Sequence, residues 1–126
     1  MNRLGLVTYV AHEYDEAIDF FVGKLGFTLA EDTDMGEGKR WVVVSAGEGA
    51  SLLIARAEGE LQKASIGNQT GGRVGFFLQT DDFERDYSNW TAQGVKFREQ
   101  PRHEEYGTVA VFEDVYGNTW DLIQPA

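Results

Sequence analysis

Apolar and polar residues alternate along most of this chain with the two-residue period of β-strands. The strand candidates are LGLVTYVA, FTLAED, RWVVVSAG and ASLLIARA in the first half, and RVGFFLQT, VKFREQ, GTVAVFED and NTWDLIQ in the second. Two segments, YDEAIDFFVGKLGF and DDFERDYSNWTAQG, instead place their large apolar residues at helical spacing. Each ends at a glycine, Gly26 or Gly94, as helices commonly do. The pattern therefore predicts two helices among eight strands.

The order strand–helix–strand–strand–strand occurs twice. At an offset of 68 residues Leu6 aligns with Val74 and Gly26 with Gly94, and after a one-residue adjustment Leu52 aligns with Asp121. This repeat predicts an α+β fold of two βαβββ modules in tandem within a single domain spanning 1–126. The modules are residues 4–57 and 73–124, and the polar segment 58–72 connects them.

One helix covers only one face of each predicted sheet. The other face must meet a second module, in the same chain or in a partner. Two sheets placed side by side in this way form an open curved barrel with a central cleft, which suits a small-molecule ligand. The sequence leaves open whether the cleft forms within one chain or across a homodimer.

Composition narrows the possible partners and compartments. The 126 residues include no cysteine, which excludes disulfides and thiolate chemistry. The net charge of −10 disfavours nucleic acids and anionic membrane surfaces as partners. The N-terminal segment lacks the pattern of a signal peptide, and no apolar run is long enough to span a bilayer. We expect a cytoplasmic protein.

The segment LGF after the first helix and FEDVYGNTWDLIQ near the end occur in the context of this repeat. The chain thereby resembles the vicinal oxygen chelate superfamily, which includes glyoxalase I, bleomycin resistance proteins and extradiol dioxygenases. The resemblance implies the two-module fold and a homodimer, and it makes binding of a small organic molecule the expected activity. It does not by itself assign a reaction.

Metal-dependent members of that superfamily place four ligands on the first and last strands of their modules. Carried onto this chain by the resemblance, the positions are Leu6, Leu52, Val74 and Asp121. Alkyl side chains offer no lone pair, so we predict no metal and no other cofactor. The two histidines, His12 and His103, lie in polar segments outside any recognised ligand pattern. Whether His103 and neighbouring acids hold an ion stays open.

Strand alternation assigns Asp121 and several apolar residues to the cleft and assigns Phe77 to the helix-covered core. The predicted ligand-binding residues are Leu6, Trp41, Leu52, Val74, Phe76, Tyr106 and Asp121. Ordinary packing is an equal alternative for Trp41 and the stronger one for Phe76. Asp121 is either the polar anchor of an organic ligand or the remnant of a lost metal site.

The leading hypothesis is metal-independent binding or sequestration of an aromatic or cationic small molecule in this cleft. The first alternative is an enzyme of the same superfamily, a lyase, isomerase or dioxygenase. Such an enzyme uses either an unrecognised metal site or Asp121 as a general base. A second alternative is a module that binds a macromolecular partner. No catalytic residue is assigned.

Overall fold

The computed structural model describes all residues, Met1–Ala126, and the chain divides into two units, Met1–Ile66 and Gly67–Ala126. The elements are β1 Leu6–Ala11, α1 Tyr14–Ile18, β2 Thr28–Gly36, β3 Lys39–Ser45, β4 Ser51–Arg56, α2 Gly59–Ala64, β5 Phe76–Gln79, α3 Phe83–Ala92, β6 Lys96–Phe97, β7 Arg102–Glu104, β8 Gly107–Glu113 and β9 Thr119–Pro125. A mixed α+β fold with two sheets and few helices confirms the predicted fold class. No helix of the chain is both long and apolar enough to cross a membrane.

The first unit is a four-stranded sheet in the order β1-β4-β3-β2, in which β1 is parallel to β4. Residues of the helical segment pack on one face of this sheet, where the rings of Tyr9 and Phe21 meet edge to face at 5.0 Å. The strand residues buried on that face are Tyr9, Ala11, Val42, Val44, Leu52 and Ile54. The two-residue period of the apolar side chains accounts for this one-sided burial.

The helix of the first unit continues from α1 into a π-helix, Asp19–Lys24. At its end the Phe27 amide donates to the Phe21 carbonyl, six residues back. In the second unit the equivalent bond runs from the Val95 amide to the Trp90 carbonyl, five residues back. The first unit thus holds one extra residue, which the wider π-helical turn absorbs.

The second unit is a sheet in the order β5-β9-β8-β6, and β7 also pairs with β8. Helix α3 covers one face, on which Phe112 lies 5.4 Å from Trp90 and 5.8 Å from Trp120 between ring centroids. Phe76 stacks on Trp120 at 4.4 Å, and Leu122 is fully buried. This aromatic layer is the core of the unit.

Two segments differ from the sequence prediction. The predicted strand VKFREQ is a strand only at Lys96–Phe97, and β7, Arg102–Glu104, lies outside every predicted strand. Between them the Glu99 carboxylate accepts a hydrogen bond from the Val111 amide at 2.9 Å, so a side chain replaces a backbone acceptor and the strand bulges. The predicted connection also contains a short helix, α2, which its polar sequence did not indicate.

The strand registers correct the alignment of the repeat. Val7 pairs with Leu52, and Phe76 pairs with Trp120. In the strands before the helices, equivalent residues of the two modules are therefore separated by one residue more than 68. In the strands after the helices, they are separated by 68 residues. Leu53, rather than Leu52, is equivalent to Asp121.

Candidate functional site

The face of the second sheet opposite α3 presents one carboxylate among apolar side chains. Asp121 on β9 pairs with Phe77 on β5 and with Val111 on β8, so all three side chains project from this face. Phe77 is 67% exposed, whereas its neighbour Phe76 points to the helix-covered core. A half-buried acid thus lies between an exposed aromatic ring and an aliphatic side chain.

Asp121 is the one acid on this chain that is at least partly buried and has no protein partner. The other acids withdrawn from solvent all accept hydrogen bonds from the protein: they are Asp86, Glu99, Glu113 and Asp114. No hydrogen bond or ion pair of the chain involves the Asp121 side chain. Burial raises the pKa of Asp121, because desolvation disfavours the carboxylate form and no donor offsets it.

The nearest cation, Arg102, is held by other groups. Its Nε donates to Glu99 at 2.8 Å and its Nη1 to Glu104 at 3.0 Å. These bonds, together with the nearby Tyr106 side chain, raise the pKa of Arg102. The positive charge of Arg102 lowers the pKa of Asp121 and the negative charge of Glu99 raises it, but burial has the largest effect.

The face of the first sheet opposite its helix carries several apolar side chains. Leu53 lies on this face and pairs with Thr8 and Val43. Trp41 is two residues before Val43 on the same strand, so its side chain projects from the same face. Trp41 is 37% exposed, and Leu6 at the start of β1 is 38% exposed. Each sheet therefore carries exposed large apolar residues on the face that its own helix leaves bare.

The predicted site residues fall into three groups, two of which lie on strands. Leu6 and Trp41 share one face of the first sheet, as predicted, and Asp121 lies on the predicted face of the second. The prediction was wrong about the orientation of two residues: Leu52 is buried on the helix-covered face of the first sheet, and Phe76 is stacked in the aromatic core.

The remaining two predicted residues lie outside the strands. Val74 precedes β5 and is half-buried, and Tyr106 lies at the turn between β7 and β8, where it is 56% exposed. The Tyr106 side chain is close enough to Arg102 to help raise the pKa of that residue. These seven residues as one ligand site remain a prediction.

The sequence prediction missed Phe77, Glu99 and Arg102. Phe77 was assigned to the core because the repeat was aligned one residue out of register in the strands before the helices. Glu99 and Arg102 lie in the bulge and in β7, where no apolar periodicity marks a strand. The spacing of Glu99, Arg102 and Glu104 is the one signal for their network, and it is a weak one.

The superfamily's metal positions do not fit a metal in this chain. By register the four positions are Leu6, Leu53, Gly75 and Asp121, because Leu6 pairs with Ser51 as Gly75 does with Thr119. Leucine and glycine side chains carry no donor atom, so three of these four positions cannot ligate an ion. No three His, Asp or Glu side chains are grouped so as to hold an ion.

Comparison with known proteins places the chain among relatives of similar length. The family model for the Glyoxalase/Bleomycin resistance protein/Dioxygenase superfamily matches residues 3–122. An uncharacterized protein of Shewanella frigidimarina is 57% identical over 121 residues, covering 94% of this chain and 90% of its own.

Solved structures of the same fold include two at 27% identity. UcmS2 superposes with a TM-score of 0.84 and covers 98% of both chains. TnmS3, described as an antibiotic binding protein from Streptomyces sp. CB03234, superposes with a TM-score of 0.79 and covers 100% of this chain and 98% of its own.

Proposed function

The chain belongs to the glyoxalase/bleomycin resistance protein/dioxygenase superfamily, and from this membership we propose that it binds an organic small molecule without a metal ion. The ligand is a flat aromatic cation, and Asp121 is the anchor for its positive charge. The protein acts by binding or sequestering this molecule rather than by transforming it.

The observation that carries the proposal is the unpaired, half-buried Asp121 carboxylate. Proteins usually pair a buried carboxylate with a hydrogen-bond donor, because desolvation of an unpaired carboxylate costs stability. Functional sites retain such destabilising features, and here a bound ligand would supply the missing partner. A cationic group placed against Asp121 would recover the lost interaction and would also neutralise local charge.

The neighbouring side chains favour an aromatic ligand. Phe77 presents its ring beside Asp121 in the sheet, and aromatic faces attract both flat and cationic groups. Around Asp121 the acids Glu99 and Glu104 outnumber the one cation, Arg102, and the whole chain has a net charge of −10. This field repels anionic ligands and attracts cationic ones.

The similarity to TnmS3 supports an organic small-molecule ligand, because that protein is described as antibiotic-binding and shares 27% of the sequence. We propose that the other predicted residues, Leu6, Trp41, Val74 and Tyr106, also contact the ligand. Leu52 and Phe76 support that surface from the core side.

A second candidate function is proton abstraction with Asp121 as general base. The raised pKa of Asp121 favours it, because a carboxylate with a raised pKa is a stronger base. In that case a bound ligand would exchange a carbon-bound proton for deuterium in D₂O only in the presence of the intact carboxylate. Simple binding predicts no exchange.

The test begins with metal analysis of the purified protein, followed by thermal-shift screening of aromatic cations. We expect less than stoichiometric metal and stabilisation by some cations. Asp121→Asn and Trp41→Ala should each reduce that stabilisation. The matched control is Glu105→Gln, which removes one exposed negative charge that makes no hydrogen bond or ion pair. Stoichiometric nickel, zinc, iron or manganese, or stabilisation retained in both variants, would refute the proposal.

A further inference from the structure

The carboxylate of Asp121 has a natural partner close by that does not pair with it. Arg102 is near enough for its charge to act on Asp121, yet no guanidinium nitrogen lies within ion-pairing distance of the Asp121 oxygens. The guanidinium instead donates hydrogen bonds to Glu99 and Glu104. Arg102 is therefore an internal competitor for a cation bound at Asp121, and Glu99 and Glu104 hold it in place.

Among those groups Glu99 is the most firmly placed. Its Oε1 accepts from Arg102 Nε at 2.8 Å, while its Oε2 accepts from the Val111 backbone amide at 2.9 Å. Val111 lies directly opposite Asp121 in the sheet, so the Glu99 carboxylate is hydrogen-bonded to the β8 residue that neighbours Asp121. Glu104 is exposed and holds Arg102 through a single bond.

We propose that Glu99 is a positioning residue, which holds the Arg102 guanidinium away from Asp121 and so keeps the Asp121 carboxylate available for a cationic ligand. This inference rests on the proposed function for its ligand, but the restraint itself is a property of the chain alone. Without Glu99, Arg102 turns to Asp121 and forms the ion pair that an external cation would otherwise make.

The variant Glu99→Gln tests the restraint with little damage to the sheet. A glutamine oxygen still accepts from the Val111 amide, but its NH₂ group then faces Arg102 Nε, and two donors cannot bond to each other. Glu104→Gln is a second variant, which releases the other bond without touching any backbone group. Glu105→Gln is the control for the loss of one nearby negative charge.

The first measurement needs no ligand: the titration of the Asp121 carboxyl carbon by NMR. We expect Glu99→Gln to lower the pKa of Asp121 and the double variant Glu99→Gln/Arg102→Gln to abolish most of that decrease. Glu104→Gln should act in the same direction and less strongly, and Glu105→Gln should have little effect. An equal decrease in the presence and absence of Arg102 would mean that Glu99 acts only through its charge, and would overturn the inference.

The second measurement is the affinity for N-methylquinolinium, compared with its neutral isostere 1-methylnaphthalene. We expect Glu99→Gln to weaken cation binding roughly five- to tenfold, the value of a partly buried ion pair, with little change for the neutral compound. Adding Arg102→Gln should increase cation affinity more in the Glu99→Gln protein than in the parent. Strictly additive effects would contradict the restraint.

The two measurements separate two kinds of failure. If the parent protein binds neither compound while the carboxyl titration follows the expected pattern, the proposed function is wrong and the restraint is real. If the parent binds the cation while Glu99 and Arg102 act independently in the titration, the positioning role is wrong and the proposed function is untouched.

Discussion

Hydrogen bonds to Asp114 stabilise the turn that leads into β9, and the substitution Asp114→Asn removes some of them. Asp114 is buried, and its Oδ1 accepts from the backbone amides of Tyr116 and Asn118 at 3.0 and 3.1 Å. Its Oδ2 accepts from Trp120 Nε1 at 2.9 Å and from Asn118 Nδ2 at 3.2 Å. This one carboxylate therefore fixes where β9 begins and, seven residues after Asp114, where Asp121 lies.

In the asparagine variant the amide oxygen serves the two backbone donors, and the NH₂ group faces two N–H donors that it cannot accept from. Each buried donor left without an acceptor costs about 1 to 3 kcal/mol, so the two together cost about 2 to 6 kcal/mol. With a urea dependence of about 2 kcal/mol per molar, the unfolding midpoint should fall by about 1 to 3 M.

Urea unfolding followed by tryptophan fluorescence measures this change, because Trp120 is buried against the substituted side chain. Glu105→Gln, an exposed change of the same chemical kind in the same unit, should unfold at the parental midpoint. A loss below about 0.5 kcal/mol in Asp114→Asn, within the range of ordinary surface substitutions, would refute the assigned hydrogen bonds.

Three other substitutions test separate features. Asp121→Asn should stabilise the protein at neutral pH, because burial raises the folded-state pKa of Asp121 above its ordinary 3.8 and the charged form therefore costs stability. This gain in stability should shrink as the pH falls through the raised pKa and should vanish below pH 3.8. Thermal unfolding at several pH values checks this, and a gain independent of pH would contradict it. Gly107→Ala should prevent stable folding of the second unit, because its φ of 148° suits glycine and an added Cβ would overlap the Gln124 carbonyl oxygen; an unchanged circular dichroism melt would contradict this. Trp41→Ala should weaken ligand binding at little cost in stability, since Trp41 is 37% exposed, and a large drop in melting temperature would instead show that Trp41 is a packing residue.

The sequence was sufficient for the architecture because apolar spacing reports burial directly. Helices α1 and α3, the succession of strands along the chain apart from β7, and the orientation of Asp121 follow from two-residue and helical periods. Gly26 and Gly94 align the ends of the helices correctly, with positive φ angles of 79° and 87°. These features depend on local pattern and need no knowledge of tertiary contacts.

The errors have one main physical cause, which is the π-helix Asp19–Lys24. A π-helical turn takes up one residue more than an α-helical turn, and no sequence pattern announces it. Because the alignment of the two modules did not allow for this extra residue, the strands before the helices were aligned one residue out of register. In a strand a shift of one residue exchanges the two faces. Phe76 and Phe77 were exchanged for this reason.

The network that borders Asp121 could not have been predicted by pattern at all. Strand β7 pairs beside a bulge in which the Glu99 side chain replaces a backbone acceptor, and such a contact depends on the tertiary approach of Val111. The absence of a protein partner for Asp121 is likewise visible only once every neighbouring donor has been placed. Burial without a partner is a property of the fold, not of the residue.

Calorimetric titration of the parent and Asp121→Asn proteins with N-methylquinolinium and 1-methylnaphthalene tests the central claim most directly. If Asp121 is the anchor of a cationic aromatic ligand, the parent binds the cation more tightly than the neutral isostere, and Asp121→Asn removes that preference while both compounds still bind weakly. Equal affinity of the parent for the two compounds, or a preference that survives in Asp121→Asn, would contradict the account.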